Sequence, residues 1–369
     1  KFRATFGYNG NLDRSTSAYT TASYQPSAVE TRLPFAQIVN PPNPELRWEK
    51  IATLNLGLDF KFFKGKLSGS FDYFTKKGSD IIGESPFAPS SGITTFYGNV
   101  ANTKTTGIDL IVNGNLSSGS FSWQGTFIYN YSREIVTRYS QKAGANNYVL
   151  TQGVPREGYP LYSIYYYDFA GLDSQTGDAL GYLNGVLSKD YTRILASYNA
   201  TNLPYAGSSR PVHFGSLRNT FSYGKLSLSA IIAYRAGYYV KRPVINYGEI
   251  LTGKSGHAEY TMRWKSPGDE LITNVPSLPA ALNSNRDSFY QHSSVAILKG
   301  DHIRLQDIRL DYRFSGYAVL KKLGITDASV YLYGQNLGLL WKANQYGLDP
   351  DYISSQPLRS VAFGLQLTL

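Results

Sequence analysis

The sequence predicts an all-β fold: about ten strands of a transmembrane antiparallel β-barrel. Three observations predict it. Apolar and polar residues alternate with a period of two in a series of segments along the chain. These segments run to about 10–13 residues, near the length that a tilted strand needs to cross a bilayer. The connections between them are alternately short and long, as periplasmic turns and extracellular loops are.

The alternation is clearest in residues 52–62. Even positions there carry Ala, Leu or Phe, whereas odd positions carry Thr, Asn, Gly, Asp or Lys, so the strand has one apolar and one polar face. The pattern recurs in residues 2–8, 67–75, 106–116, 121–131, 212–223, 226–238, 303–314, 328–337 and 361–369. The segment 303–314 changes phase between Leu305 and Ile308, which predicts a β-bulge.

The lengths of the connections indicate which end of each strand faces the periplasm and which faces outward. Short turns are expected at residues 63–65, 117–119, 224–225 and, slightly longer, 315–325; long loops are expected at 10–48, 78–100, 134–210, 240–299 and 338–358. If the last strand ends at the periplasm, every short turn falls on the periplasmic side. A β-solenoid or a soluble β-sandwich also alternates, but neither explains the strand length together with this sidedness.

The loops carry more than half of the residues, which is too much for the narrow lumen of a closed ten-stranded barrel. The chain also opens within a strand. We therefore interpret residues 1–369 as one contiguous wall of a larger barrel, with the rest of the barrel supplied from elsewhere.

Composition argues against several classes of function. The chain has no Cys, which removes disulfides, thiolate metal sites and cysteine nucleophiles. The four His residues lack metal-ligand spacing, and no nucleophile elbow or phosphate-binding glycine loop occurs. We expect no enzymatic activity, no catalytic residue, no metal and no cofactor. The net charge is +10, but Lys and Arg are scattered, so no nucleic-acid partner is expected.

Two acidic clusters are candidates for ligand binding or for stabilising turns. Residues 173–178 supply the oxygen ligands that calcium prefers, but they lack the spacing of an EF-hand loop. A turn rich in Asp side-chain hydrogen bonds is the favoured interpretation. Asp349 and Asp351 are likewise expected to stabilise a turn.

Aromatic residues gather in two of the long loops. Tyr159, Tyr162, Tyr165, Tyr166 and Tyr167 lie in the longest loop, and Trp341, Tyr346 and Tyr352 lie in the last one. Aromatic faces stack on sugar rings or peptide side chains at little entropic cost. The candidate substrate-binding residues are Tyr159, Tyr165, Tyr166, Tyr167, Trp341 and Tyr346. The alternative, favoured for most of them, is packing within the loops or against a protein partner.

The polar faces of the strands provide a second set of candidates. In a barrel these faces line the solvated lumen. The charged and amide residues expected there are Asp59, Asp72, Asp109, Gln124 and Arg235. Their default role is to keep the wall hydrated.

Several short strings, in this order and spacing, resemble the C-terminal barrel half of SusC/RagA-type TonB-dependent transporters of the Bacteroidetes outer membrane. They include Asn-Pro-Glu-Leu-Arg-Trp-Glu-Lys at 43–50, Gly-Ser-Phe-Asp-Tyr-Phe at 69–74, Asn-Val at 99–100, Thr-Gly-Ile-Asp-Leu at 106–110, Phe-Ala-Gly-Leu-Asp at 169–173, Arg-Leu-Gln-Asp-Ile at 304–308 and Tyr-Gly-Leu-Asp-Pro at 346–350. The resemblance extends over residues 1–369. One departure is Leu369, because such barrels usually end in an aromatic residue.

The resemblance implies the last ten strands of a 22-stranded barrel in the bacterial outer membrane. It implies that the first twelve strands, the plug and the TonB-contacting segment lie outside these residues. The implied partners are a SusD-like surface lipoprotein that covers the loops, TonB acting through the plug-bearing part, and outer-membrane lipid. The implied function is import of oligosaccharides or oligopeptides; a structural scaffold in an outer-membrane assembly or secretion complex is the alternative.

Overall fold

The structure, a computed structural model, describes residues 1–11, 17–27, 31–86, 90, 95–141, 143–314 and 324–368. The strands are β1 (Phe2–Asn11), β2 (Thr21–Gln25), β3 (Phe35–Asn40), β4 (Glu49–Phe62), β5 (Leu67–Pro86), β6 (Thr95–Ser118), β7 (Phe121–Tyr139), β8 (Ser163–Tyr165), β9 (Gly181–Leu183), β10 (Val186–Ser188), β11 (Tyr205–Ser208), β12 (His213–Tyr223), β13 (Leu226–Ala236), β14 (Tyr239–Lys241), β15 (Ile297–Lys299), β16 (His302–Arg313), β17 (Asp327–Lys342) and β18 (Ser360–Thr368). The helices are α1 (Ala145–Leu150), α2 (Tyr191–Ser197), α3 (Tyr247–Leu251) and α4 (Ser284–Gln291).

Ten strands form one antiparallel sheet, in the order β1-β4-β5-β6-β7-β12-β13-β16-β17-β18. These are the ten strands that the alternation predicts, and consecutive members of that series are paired. Small two-stranded sheets in the long connections account for the remaining strands among the described residues. The all-β architecture is therefore confirmed. Its sheet is open, with β1 and β18 at its two edges.

The predicted short turns at residues 63–65, 117–119 and 224–225 lie together at one end of the sheet, because each joins neighbouring antiparallel strands. The turn predicted at 315–325 falls largely on residues 315–323, and these, like Leu369, lie outside the described residues.

Three strands are longer than the alternation predicts. β5, β6 and β7 have 20, 24 and 19 residues and continue as paired strands through much of the connection expected at 78–100 and into the one expected at 134–210. The β5–β6 register shifts between Gly78 and Ile82, where Asp80 adopts φ 58°. Sequence alternation ends before this irregularity, but backbone pairing does not.

The predicted bulge in β16 is confirmed. Ile231 pairs with Asp307 and Ile232 with Leu305, which leaves Gln306 without a cross-strand partner in β13. A bulge of this kind shifts the phase of the side chains by one residue. It explains why the apolar positions of β16 change parity.

One face of the sheet is apolar and exposed. Its large side chains include Leu54, Leu56, Leu58, Phe71, Phe221, Leu228, Leu332, Phe363 and Leu365. A band of exposed apolar side chains along consecutive strands is the lipid-facing surface of a barrel wall. None of the helices among the described residues is long and apolar enough to cross a bilayer.

The buried core lies in the long connections, outside the sheet. Residues 143–212 and 237–301 pack into one unit, which we call the loop domain. Its core is formed by aromatic and aliphatic side chains from both connections, including Tyr148, Tyr165, Tyr167, Leu172, Tyr191, Ile194, Ile245, Tyr247, Trp264, Phe289 and Tyr290. The two longest loops are thus one folded body that stands on the extracellular end of the sheet.

Candidate functional site

A row of directly paired residues crosses the polar face of the sheet. From β1 to β17 it consists of Arg3, Gly57, Asp72, Asp109, Asn130, Phe214, Arg235, His302 and Lys342. Arg3 lies near the periplasmic end of its strand, whereas Arg235 lies next to the extracellular end. The row therefore climbs along the face, from the turn side to the loop side.

The lower end of the row is a charge network. The Arg3 guanidinium donates to Asp59 Oδ1 and Asp72 Oδ2, each at 3.0 Å. Asn55 donates to Asp72 Oδ1 at 3.2 Å. Gly57 lies between Arg3 and Asp72, and a Cβ there would lie 2.5 Å from the Asp72 carboxylate. The missing side chain opens the path that the guanidinium follows across β4.

The five candidate lumen residues share this face. Asp72, Asp109 and Arg235 belong to the row itself. Asp59 is joined to it through Arg3. Gln124 lies on the same face of β7, six residues nearer the turns than Asn130, and pairs with Asn115 and Thr220.

The upper end of the row holds the last loop against the wall. Arg304 donates to both carboxylate oxygens of Asp349, at 2.5 and 2.6 Å, and the two side chains are 9% and 8% exposed. Asp351 accepts from Arg235 at 2.6 Å and lies 3.2 Å from His302 Nε2. These two carboxylates thus do more than stabilise a turn, since they tie the loop after β17 to β13 and β16.

The neighbouring charges lower the pKa of Asp351. Burial disfavours its charged form, but the hydrogen bond with His302 and the charges of Arg235 and Arg304 outweigh burial and lower its pKa. The carboxylate is therefore ionised at neutral pH. Loop and wall are held by charge-assisted hydrogen bonds, the strongest kind that side chains offer.

The tyrosines of the longest loop are divided between core and surface. Tyr165 and Tyr167 are 1% and 0% exposed, and burial raises the pKa of each to about 12. Both contact other aromatic rings of the loop domain. Tyr159 and Tyr166 are half-buried, and Tyr159 lies under the guanidinium of Arg156 at 4.2 Å.

The aromatic residues of the last loop are also separated. Trp341 belongs to β17 rather than to the loop and pairs with Ile303, in phase with Tyr234 on the apolar face. Its position at the loop end of the strand, 52% exposed, is that of an aromatic residue at the membrane interface. Tyr346 does lie in the loop, with Arg242 at 4.6 Å from its ring centre.

A pocket of about 470 Å³ opens where the polar face meets the loop domain, and we call it the mouth pocket. Its lining comprises Thr105, Ser132, Arg133, Glu134, Pro160, Tyr162, Ser208, Arg210, Pro211, Val212, Phe214 and Arg235. Phe214 and Arg235 are directly paired members of the row. Sequence reasoning included Arg235 but missed Arg210, because a single exposed Arg in a loop carries no signal in the sequence.

The acidic loop at 173–178 forms the predicted turn, which Asp side-chain hydrogen bonds stabilise. Asp173 Oδ1 accepts from the backbone nitrogens of Gln175 and Thr176 at 3.0 and 2.8 Å. Lys189 pairs with Asp173 and Arg286 with Asp178, so cationic side chains neutralise both carboxylates. In the described ranges no group of three or more His, Asp and Glu side chains is placed to hold a metal ion.

Comparison with known proteins places this architecture in a family. The family described as TonB dependent receptor-like, beta-barrel matches residues 2–337. The chain belongs to this family and is therefore an outer-membrane β-barrel protein.

Relatives and solved structures agree with this assignment. TonB-dependent receptor P3 of Formosa agariphila is 23% identical over 387 residues, covering 95% of this chain and 36% of the relative. TonB-dependent receptor SusC of Bacteroides thetaiotaomicron is 23% identical over 109 residues, covering 29% of this chain and 11% of SusC. The structure of the RagAB peptide transporter matches with a TM-score of 0.73 at 23% identity, covering 99% of this chain and 40% of that one.

The resemblance to SusC/RagA-type barrels is thus confirmed at the level of family and fold. The chain spans little more than a third of the length of the receptor P3 and 40% of the matched RagAB chain.

Proposed function

We propose that this chain forms ten strands of the wall, and the extracellular loops, of a TonB-dependent outer-membrane importer for oligosaccharides or oligopeptides. Membership of the receptor family supports import, and the similar RagAB structures are those of a peptide transporter or importer. In this proposal a SusD-like lipoprotein covers the loops. The chemistry of transport is binding and release, without a covalent step.

The observation that carries the proposal is the open sheet. Among the described residues β1 pairs with β4 alone and β18 with β17 alone. An unpaired strand edge is not tolerated in hydrocarbon, where no water satisfies the backbone. Further strands of the same barrel therefore complete it, and twelve would give the 22 of the family. The plug and the TonB-contacting segment belong to that remainder.

The wall and loops would contribute ligand contacts in two layers. The polar row supplies hydrated groups along the lumen, and the partly exposed Tyr159, Tyr166 and Tyr346 offer ring faces at its mouth. Tyr165 and Tyr167, which are buried, would support this surface from behind. Trp341 would join it only if a ligand reached the outer rim of β17.

A scaffold role in an outer-membrane assembly or secretion complex is the second candidate. The observation that favours it is the closed core of the loop domain, since most of its aromatic side chains are already packed against one another. Loops that are rigid before any ligand arrives also suit a docking platform.

A measurement of uptake distinguishes the importer from the scaffold. The full-length protein is expressed with its lipoprotein partner, and entry of labelled oligosaccharide and peptide pools is measured in cells with and without TonB. TonB-dependent uptake that is lost on deletion of the protein is the expected result. Normal uptake without the protein, together with loss of an assembled surface complex, would favour the scaffold.

A further inference from the structure

We propose that the mouth pocket binds a carboxylate group of an anionic oligomer. The inference deepens the proposed import function, on which it rests, by naming the chemistry of one ligand site. A uronate-containing oligosaccharide and an acidic peptide share this chemistry, and the experiment below separates them.

Arg210 is the first group that points to an anion. Its guanidinium lies 3.3 Å from the ring centre of Tyr162. Among the described residues it forms no ion pair within 4.0 Å, and the charge of Glu134 acts on it only at longer range. A guanidinium stacked on a ring keeps its N–H donors free in the plane. Ser208 fixes the backbone of this residue, since its hydroxyl both accepts from Arg210 N and donates to Arg210 O.

Arg235 is the second such group, and the structure already shows it holding a carboxylate. Its Nη1 atom donates to Asp351 at 2.6 Å, while the side chain remains 49% exposed. The fork of an Arg carries five donors, so one carboxylate does not saturate it. An incoming anion at Arg235 would share the guanidinium with Asp351.

The balance of charge in the pocket favours an anion. Two arginines, Arg210 and Arg235, line it against one acidic residue, Glu134; Arg133 also lines it, but its side chain alternates to the other face of β7. Glu134 pairs with Thr105 across the polar face, which places its charge inside the pocket. It would weaken anion binding, and this gives the proposal a variant that should gain affinity.

The lining and the volume of the mouth pocket suit a short part of an oligomer rather than a whole one. Tyr162, whose ring carries Arg210 on one face, and Phe214 supply the aromatic part of the lining. Pockets of about 300–1,000 Å³ hold small molecules, so a volume of about 470 Å³ suits one or two units of a chain. The pocket opens between the polar face and the loop domain, where an oligomer entering the lumen would pass.

Binding to the purified full-length protein in detergent tests the proposal without TonB. The probes are tetragalacturonate and tetraglutamate, with the neutral tetramers maltotetraose and tetraglutamine as controls, and calorimetry is the measurement. At least one acidic probe should bind more tightly than its neutral counterpart, and the preferred acidic probe identifies the source of the carboxylate. Equal affinity of acidic and neutral probes would overturn the proposal.

Three variants locate the binding. Loss of one charge-assisted hydrogen bond weakens binding by about ten- to a hundredfold, which is the loss expected for Arg210→Gln. Glu134→Gln should raise the affinity for the same probe, and a gain cannot result from misfolding. Arg193→Gln, which changes an exposed arginine on α2, is the matched control and should leave binding unchanged. An unaltered affinity in both pocket variants would contradict the assignment.

The same measurements keep the two proposals apart. Carboxylate binding without TonB-dependent uptake would contradict import and leave the pocket assignment standing. Uptake of neutral oligomers with no preference for acidic probes would support import and overturn the inference about the pocket.

Discussion

Arg304 and Asp349 join two segments that lie 45 residues apart and that the sequence marks independently, Arg-Leu-Gln-Asp-Ile in β16 and Tyr-Gly-Leu-Asp-Pro in the last loop. The guanidinium donates to both oxygens of a carboxylate that is 8% exposed. The contact fixes the last loop to the wall at the mouth of the lumen.

Breaking that pair should release the loop. We expect Arg304→Ala to destabilise the docked loop by about 3–5 kcal/mol, because it leaves a buried carboxylate without its counter-ion. Cleavage of the last loop by an external protease in intact cells would report the release. Arg193→Ala, an exposed arginine, is the control. Equal protection in both variants would show that Arg304 does not hold the loop.

A side chain at Gly57 should disturb the charge network around Arg3. Gly57→Ala would place a Cβ 2.5 Å from Asp72 Oδ1 and 2.9 Å from Arg3 Cζ, so the network must separate. Because the displaced groups are the ends of flexible, partly exposed side chains, the loss should be up to about 1 kcal/mol, the worth of a surface ion pair. The measurement is the unfolding free energy in urea. At Gly7, also in the sheet, a Cβ would meet nothing within 4 Å, and the matched Gly7→Ala variant should show little loss.

The two faces of the sheet should respond differently to charge. Leu56→Arg and Leu228→Arg place a cation on the lipid face, at a cost of about 2–4 kcal/mol near the bilayer midplane. Asn55→Arg and Ser227→Arg, one residue away on the polar face, should cost little. Folding into vesicles, followed by the gel shift of unheated samples, compares the four variants. Equal costs on both faces would refute the register.

The loop domain should become more stable as the pH rises above 8. Burial lowers the pKa of Lys241 to about 8 from its usual 10.5. Between pH 8 and 10.5 the folded state therefore loses this proton while the unfolded state keeps it, so the free energy of unfolding rises with pH. Above about 10 the buried tyrosines reverse the trend, because their pKa values are raised and unfolding lets them ionise.

Hydrogen exchange of the loop domain at pH 7.5 and 9.5 tests this dependence. Lys241 donates to Val149 O in the wild-type protein. Lys241→Met should remove the increase in protection between these two pH values. A variant that keeps the wild-type increase would show that another group is responsible.

Trp341 should face lipid. Its register with Ile303 and Tyr234 puts the indole on the apolar face at the loop end of β17. In a variant whose only Trp is Trp341, brominated lipids should quench the fluorescence. A variant that keeps Trp264 alone, buried in the loop domain, should be unaffected. Quenching of Trp341 by substrate but not by lipid would instead assign it to ligand contact.

The period-two pattern was enough to predict all ten strands of the sheet, their order and the bulge near Gln306. It succeeds because lipid on one side and water on the other impose opposite preferences on neighbouring residues. The pattern ends at Thr75 although β5 continues to Pro86, because beyond the membrane no apolar solvent selects the outward side chains.

The loops could not be predicted in the same way. Tyr165 and Tyr167 are expected to be exposed in a polar, tyrosine-rich stretch. Tyr165 instead packs on Tyr148 of the same loop, and Tyr167 packs on Phe289 of a second loop more than a hundred residues away. Arg304 and Asp349 were both visible in the sequence, but nothing local shows that they meet. The sequence predicts Trp341 in the loop because the alternation breaks at Leu340. In the structure Leu340 is a bulge without a partner in β16, and the strand continues beyond it.

The central claim is that these ten strands are one stretch of a larger closed wall. Residues 1–369 contain no Cys, so no native thiol of these ten strands competes with the engineered pairs. In the full-length protein in native outer membranes, Cys replacements of Thr5 and Asn55, which are cross-strand partners, should be joined by oxidation. Pairs with one Cys in β1 and one in β18 should stay reduced, because other strands separate these edges. Efficient cross-linking of β1 to β18 within one molecule would mean a closed ten-stranded barrel and would contradict the claim.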